Sequence, residues 1–287
     1  FFATGLGLSP IYGTVTQPDL YPECPANLNK TSIRYGTSSN QNLIKNYPDC
    51  IAKLFRVQLN PSTGKVEQLP GIITDSSPIG ETIHLSTTYA TIVAEAQKIG
   101  YVDNENLFSV GFNYLLHPVT SYSVYDKLKE KIEEVYNKNH EKSVLISFSQ
   151  GSFFSIFISN YSTKDWVKKY VDSIIFIAPA FAGYPTFSEL FRQQLSPYVA
   201  NEELKKSIMR MPGFHLMMPN YVVYENFTLI YNLNEDYDQH NASFAFEFLK
   251  SQGKVDDESE KIFKEIAEKY LKEPIPEPPV PSLIIYN

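Results

Sequence analysis

Ser149 stands where a serine can become a nucleophile. The run Val144-Leu145-Ile146-Ser147-Phe148-Ser149-Gln150-Gly151 takes four β-prone residues into a small-x-Ser-x-Gly turn, and an apolar stretch with helical character follows. A strand, a sharp turn and a helix in that order make a nucleophile elbow, which lifts a serine above the end of a parallel sheet. Ser147 and Gly151 are small enough to let such a turn close without side-chain collision. The chemistry implied is that of a serine hydrolase or acyltransferase. The hydroxyl attacks a carbonyl, an acyl-serine forms, and the acyl group passes to water or an alcohol. This chemistry needs no metal and no organic cofactor. It does need a histidine to take the serine proton, an acid to orient that histidine, and two N–H groups to hold the oxyanion. In an elbow the residue after the serine gives one donor, here Gln150; the other comes from a loop after an early strand. The glycine-rich turn Thr4-Gly5-Leu6-Gly7-Leu8-Ser9-Pro10 is the candidate loop, with Leu6 as donor.

The histidine and the acid are harder to place. The chain order for this kind of site is serine, acid, histidine. Only His215 and His240 follow Ser149. His215 precedes most candidate acids, and His240 sits in the polar run Asp236-Tyr237-Asp238-Gln239-His240. Neither follows a strand, so both read as structural or surface groups. The acid is expected after a late strand. Leu283–Tyr286 is such a strand, and one residue follows it here.

Strand-like and helix-like segments alternate along the chain, which predicts an α/β fold with a mainly parallel sheet. A first strand is expected at Phe1–Ala3. The polar stretch from Gly13 to about Tyr47 reads as an excursion from the core. Ile51–Gln58 alternates apolar and polar residues and predicts a half-buried strand. A helix is expected over Thr88–Ile99 and a strand over Asn106–Phe112. Ser123–Asn139 carries Tyr125, Leu128, Ile132 and Val135 on one helical face. Ser152–Ser159 is the helix leaving the elbow, and Asp172–Ala178 is an apolar run typical of a buried parallel strand. The aromatic-rich segment Phe181–Asn241 looks like a cap. Its aromatic residues read as core or as the lining of an acyl-chain pocket. Met209, Met211, Met217 and Met218 read as flexible packing. Helices near Ser243–Ser251 and Asp257–Leu271 and a proline-rich linker, Pro274–Pro281, lead to the last strand. The whole reads as one domain over 1–287, with an excursion over 13–50, a cap over about 184–275 and the last core strand at 282–287.

Composition narrows the function classes. The net charge is −7, the charged fraction is 20%, and no basic cluster occurs, so nucleic acid is not an expected partner. No apolar run is long enough to span a bilayer as a helix. The 43% hydrophobic content predicts a folded core rather than disorder. Cys24 and Cys50 are the two cysteines, readable as a disulfide or as two free thiols. Sequons stand at Asn29, Asn160, Asn226 and Asn241, slightly more than chance supplies. Sequons and paired cysteines together favour the disulfide and a secreted or lumenal protein. The chain begins at Phe1 without a methionine, which reads as a processed or truncated product.

Several segments together resemble one known family, the lecithin:cholesterol acyltransferase-like proteins, whose members include lysosomal phospholipase A2 and phospholipid:diacylglycerol acyltransferase. Thr4-Gly5-Leu6-Gly7-Leu8-Ser9 resembles the family's Pro-Gly-x-x-x-Ser/Asn oxyanion turn. Gly100-Tyr101-Val102 followed by Phe112-Asn113-Tyr114 resembles its Gly-Tyr … Tyr-Asp-Trp-Arg segment, without the Asp and Arg. Asp165–Asp172 resembles the segment before the post-elbow strand. Ile177-Ala178-Pro179-Ala180-Phe181-Ala182-Gly183 resembles the Leu-Gly-x-Pro-x-x-Gly that follows it. Leu283-Ile284-Ile285-Tyr286 is similar to the strand just before the family's catalytic aspartate. The resemblance covers nearly the whole chain, and the order of its motifs is more specific than any one of them.

The resemblance implies an α/β-hydrolase-type sheet and a phospholipase or acyltransferase acting on glycerophospholipid esters at a membrane or lipid-particle surface. It also implies that Cys24 and Cys50 close the active-site lid. Finally, it implies a further segment, on this polypeptide or on a second chain of the same precursor, that carries the aspartate and histidine. The alternatives are a catalytically inactive paralogue that binds lipid or serves a structural role, and an unrelated α/β hydrolase of small soluble esters.

Overall fold

The apolar runs that surround the Ser149 turn assemble into one sheet. A computed structural model describes residues 1–5, 9–33, 41–77, 79–80, 82, 89–116, 122–183, 201–227, 230–232 and 238–286. The strands, in chain order, are β1 (Phe2–Ala3), β2 (Ile11–Val15), β3 (Thr31–Ser32), β4 (Val57–Asn60), β5 (Lys65–Gln68), β6 (Ile72–Ser76), β7 (Ser109–Val110), β8 (Ser143–Phe148), β9 (Val171–Ile177), β10 (Ile230–Asn232), β11 (Asp238–His240) and β12 (Ser282–Ile285). Five of them form the central sheet in the order β12-β9-β8-β1-β7, and every neighbouring pair is parallel. The chain leaves β1 for β7 on one side, then crosses to β8 on the other. That reversal is a topological switch point, and in open parallel sheets ligands bind beyond the carboxyl ends of the strands at such a point. Ser149 follows the last residue of β8.

The two faces of this sheet are covered unequally. Helices α4 (Tyr122–Asn139), α5 (Gly151–Tyr161) and α6 (Lys164–Tyr170) form one layer. Tyr125, Leu128, Ile132 and Val135 of α4 are buried, as their spacing predicts, in one cluster with Leu145, Ile174 and Phe176 of the sheet. Phe154 of α5 stacks on Tyr125 at 4.8 Å between ring centroids and on Phe112 at 5.8 Å. On the opposite face Val144, Ile146, Ile175 and Ile177 are only half-buried. Helix α3 (Ala90–Lys98) carries no buried residue. A cavity of about 970 Å³ lies between that helix and the amino-terminal ends of β1 and β8, at the far end of the sheet from Ser149.

Three strands differ from expectation. Ile51–Gln58 is split between helix α2 (Pro48–Phe55) and strand β4. Pro48 sits in the first turn, where its missing N–H costs nothing. Ile51, Leu54 and Phe55 then fall on one buried helical face, and this i, i+3, i+4 pattern prevails over the apparent alternation. The last strand, read as buried, is an edge strand. Among the described residues it pairs with β9 alone, and Leu283, Ile284 and Ile285 are about half exposed. The strand expected over Asn106–Phe112 is reduced to β7.

The excursion after β1 has its own small antiparallel sheet, β3-β2-β6. A disulfide joins Cys24 to Cys50, the latter on α2, with the Cα atoms 4.8 Å apart. Helix α1 (Gln41–Asn46) precedes α2. In the segment read as a cap, the helix Glu202–Met209 packs on α2 and is followed by the short helix Pro212–His215. All four methionines of that segment are buried packing residues.

Candidate active site

The elbow is held by backbone geometry that the sequence required. Ser149 adopts φ +52°, a left-handed conformation that costs a non-glycine residue about 1 kcal/mol. Such strain persists only where the surroundings over-determine it, and here they do. The Ser149 N–H donates to the Ile177 carbonyl at 3.0 Å. The Ser149 carbonyl accepts from the Ser152 N–H at 3.0 Å, the Ser152 hydroxyl at 2.6 Å and the Ala180 N–H at 3.3 Å. Ala180 also donates to the Ser152 hydroxyl at 3.0 Å. The last residue of β9, helix α5 and the loop after β9 thus all grip the same residue. The hydroxyl of Ser149 has no hydrogen-bond partner among the described residues, and the residue is partly open. Gly151 is required for a related reason. A Cβ there would lie 2.5 Å from the carbonyl oxygens of both Ala3 and Thr4, so any side chain would push α5 off the end of β1.

Gln150 is the N-cap residue of α5, so its N–H is one of the donors that a helix start leaves without an internal acceptor. Its side chain is fully buried, and Nε2 donates to the Gly213 carbonyl at 3.0 Å. The elbow is thereby tied to the short helix Pro212–His215. Leu6, the second expected donor, lies outside the described residues. The ends of its turn are described. The Thr4 and Ser9 hydroxyls are 2.7 Å apart and buried, closing the turn like a clasp. The Phe112 N–H reaches the Ser9 hydroxyl at 3.5 Å. The Gly5 N–H donates to the Tyr89 hydroxyl at 3.1 Å, and the Tyr89 ring stands edge-on to Phe148 at 5.8 Å. Tyr89 therefore joins the turn after β1 to the residue before the serine. Tyr89 and Ser152 escaped the sequence reading because only the fold brings them to the elbow. Ser152 alone left a local sign, a small polar residue one turn past the serine.

The histidines behave as structural groups where they are described. His215 is buried, with Nε2 donating to the Met209 carbonyl at 2.7 Å. Phe246 and Phe263 stand edge-on to its ring, each at 5.7 Å. Burial lowers its pKa to about 4, against the smaller opposing effect of the Met209 hydrogen bond, so the ring is neutral at physiological pH. Among the described residues no hydrogen bond joins its side chain to Ser149. Only the backbone of His240 is described, as the end of β11. Of the sequons, Asn29 and Asn226 are exposed. Asn241 is exposed and caps the turn that follows it through Ser243. Asn160 lies in the last turn of α5. Among the described residues no cluster of acidic, histidine or cysteine side chains could hold a metal ion, and no helix is long and apolar enough to cross a membrane.

A cavity of about 260 Å³ runs beside α5, lined by Phe153, Ile156 and Phe181 on one side and by Asn220, Tyr270 and Ile275 on the other. Phe153 is one helical turn past Ser149, and Phe181 follows the alanine that donates to the Ser149 carbonyl. This cavity borders α5 from one turn past Ser149 onward.

The family model for lecithin:cholesterol acyltransferase matches residues 39–228, about two thirds of the chain. Among curated proteins, lecithin-cholesterol acyltransferase-like 1 of Arabidopsis thaliana is 24% identical over 49% of this chain and 37% of its own length. The lysosomal phospholipase A and acyltransferase of Bos taurus is 21% identical over 44% of this chain and 29% of its own length. The phosphatidylcholine-sterol acyltransferase of Oryctolagus cuniculus is 24% identical over 47% and 32%. The chain thus matches about a third of the length of these relatives.

Proposed function

The chain belongs to the lecithin:cholesterol acyltransferase family, and on that premise we propose that it is the nucleophile-bearing part of a lipid acyltransferase or phospholipase A. Ser149 Oγ attacks the carbonyl of a glycerophospholipid acyl ester. The Gln150 and Leu6 amides hold the oxyanion, and the lysolipid leaves. The acyl-serine then passes its acyl group to water or to an alcohol such as a sterol, and the serine regains its proton. The observation that carries this reading is Ser149 itself: a left-handed serine gripped by three elements, with a hydroxyl unpartnered among the described residues, at the switch point of a parallel sheet. The cavity beside Phe153 and Phe181 is suited to an acyl chain.

The base and its orienting acid come, in this proposal, from polypeptide packed beside β12, as a continuation or as a second chain of the same precursor. The half-exposed apolar residues of that edge support this placement. The disulfide supports a secreted or lumenal setting, where such bonds persist. The test is hydrolysis and transacylation of a phosphatidylcholine carrying a labelled acyl chain, by the native protein and its Ser149→Ala variant. Release or transfer of label that disappears in the variant is expected; equal release by both excludes Ser149 as nucleophile.

A second reading rests on the engagement of His215 elsewhere: an inactive paralogue that keeps the fold for lipid binding. It predicts lipid binding without acyl release by the native protein.

A further inference from the structure

The seven residues Tyr221–Phe227 present apolar side chains to solvent in a fixed arrangement. Val222 is 43% exposed, Val223 41% and Phe227 59%, and the Tyr224 ring packs edge-on against Phe227 at 5.9 Å. The backbone beneath is pinned. Asn220 is buried; its Oδ1 accepts from the N–H groups of Val222 and Val223, each at 3.0 Å, and its Nδ2 donates to the Glu273 carbonyl at 3.0 Å. The Tyr221 N–H donates to the Leu271 carbonyl at 2.7 Å. A buried polar hub is thus used to hold two valines and a phenylalanine outward, where they gain nothing from water. Ordered apolar surface facing solvent marks an interaction site.

The turn also sits at the chemical end of the sheet. The Asn220 N–H donates to the Ala182 carbonyl at 3.0 Å, and Ala180, two residues earlier, donates to the Ser149 carbonyl. Gly183 lies so close to Met218 that a Cβ would meet the Met218 carbonyl oxygen at 2.0 Å. The loop that grips the elbow and the stem of this turn are therefore packed as one piece. The charges nearby are net acidic: Glu225, Glu247 and Glu268 against Lys272, which is paired with Glu268 at 3.1 Å.

We propose that Tyr221–Phe227 is a docking element that inserts Val222, Val223 and Phe227 into the boundary layer of a neutral, zwitterionic lipid surface and so brings the Ser149 mouth against it; this rests on the lipid-substrate reading. Aromatic and aliphatic side chains on a fixed polar support suit that boundary. The net acidic surroundings offer no attraction to an anionic surface, so docking rests on the apolar side chains and is not weakened by salt. The sequon at Asn226 opposes docking: a glycan there would stand beside Phe227, so protein bound to lipid carries no sugar at Asn226.

The test is co-sedimentation of the full chain, unglycosylated, with vesicles of pure phosphatidylcholine at low and high salt. The triple variant Val222→Ser, Val223→Ser, Phe227→Ser should bind about tenfold more weakly or worse, with a thermal midpoint near that of the wild type. Ile99→Ser, which removes a 78% exposed side chain near the other end of the sheet, should bind as the wild type does. Equal binding by wild type and triple variant overturns the proposal. So does absence of wild-type binding, or a glycan at Asn226 in the bound fraction of protein from a secretory host. Turnover of a soluble short-chain ester by the wild type is scored separately, so a failure of acyl transfer is distinguishable from a failure of docking.

Discussion

Ser149 and His215 are both polar residues set in largely apolar surroundings, and the fold treats them in opposite ways. Ser149 is strained in its backbone, gripped through its N–H and carbonyl, and left with its hydroxyl unpartnered among the described residues. His215 is unstrained, fully enclosed between two phenylalanine rings, and spends its one N–H on the Met209 carbonyl. The proposed nucleophile and the enclosed histidine thus differ in what holds the backbone and in access to solvent, not in polarity. The elbow stores a small conformational cost at a place where it positions an atom. The histidine fills space and satisfies a carbonyl.

The largest effect that sharpens this contrast is on chemistry. Ser149→Ala should lower acyl release by about a thousandfold or more and leave the thermal midpoint nearly unchanged, as read by phospholipid turnover alongside calorimetry. Gly151→Ala should come next. Its Cβ meets two backbone carbonyls that cannot swing aside, so a loss of about 3 kcal/mol in denaturant unfolding is expected, together with loss of reactivity as α5 shifts against β1.

His215 should respond to pH instead. Its folded pKa, near 4, lies below the ordinary value of 6.5. The unfolded chain therefore binds a proton that the folded chain refuses. Stability from this group is complete above about pH 6.5 and is lost as pH falls toward 4, by about 3 kcal/mol in all. Denaturant midpoints measured across that window should fall in the wild type and flatten in His215→Gln. A comparable slope in the variant would place the acid sensitivity elsewhere. Reduction of the Cys24–Cys50 bond, which closes a span of 26 residues, should cost about 3 kcal/mol, seen as a lower midpoint with a thiol reductant present. The smallest effect belongs to Ser149→Gly. Relief of the left-handed strain and the greater freedom of the unfolded glycine nearly cancel, so stability should rise by less than about 1 kcal/mol while chemistry is lost.

Much of the elbow was legible in the sequence because its constraints are local. Ser147, Ser149 and Gly151 lie within one turn, and each is small or special for a reason that acts over a few ångströms. The face of α4 was legible for the same reason, since Tyr125, Leu128, Ile132 and Val135 repeat at helical spacing. The helix α2 was misread because eight residues that begin with a proline offer too few turns to separate a helical stripe from an alternating strand. Tyr89 and Asn220 left no sign at all. Their hydrogen bonds join residues 84 or about 50 positions apart, and only the assembled sheet brings those together. The exposure of β12 was equally hidden. An apolar run reads as buried, and whether a neighbour covers it is a property of the whole assembly.

The most direct measurement is the site of phosphonylation. Native protein incubated with a fluorophosphonate, digested and sequenced by mass spectrometry should carry one adduct, on Ser149. A protein that takes up no probe, or takes it up equally in the Ser149→Ala variant, would contradict the account.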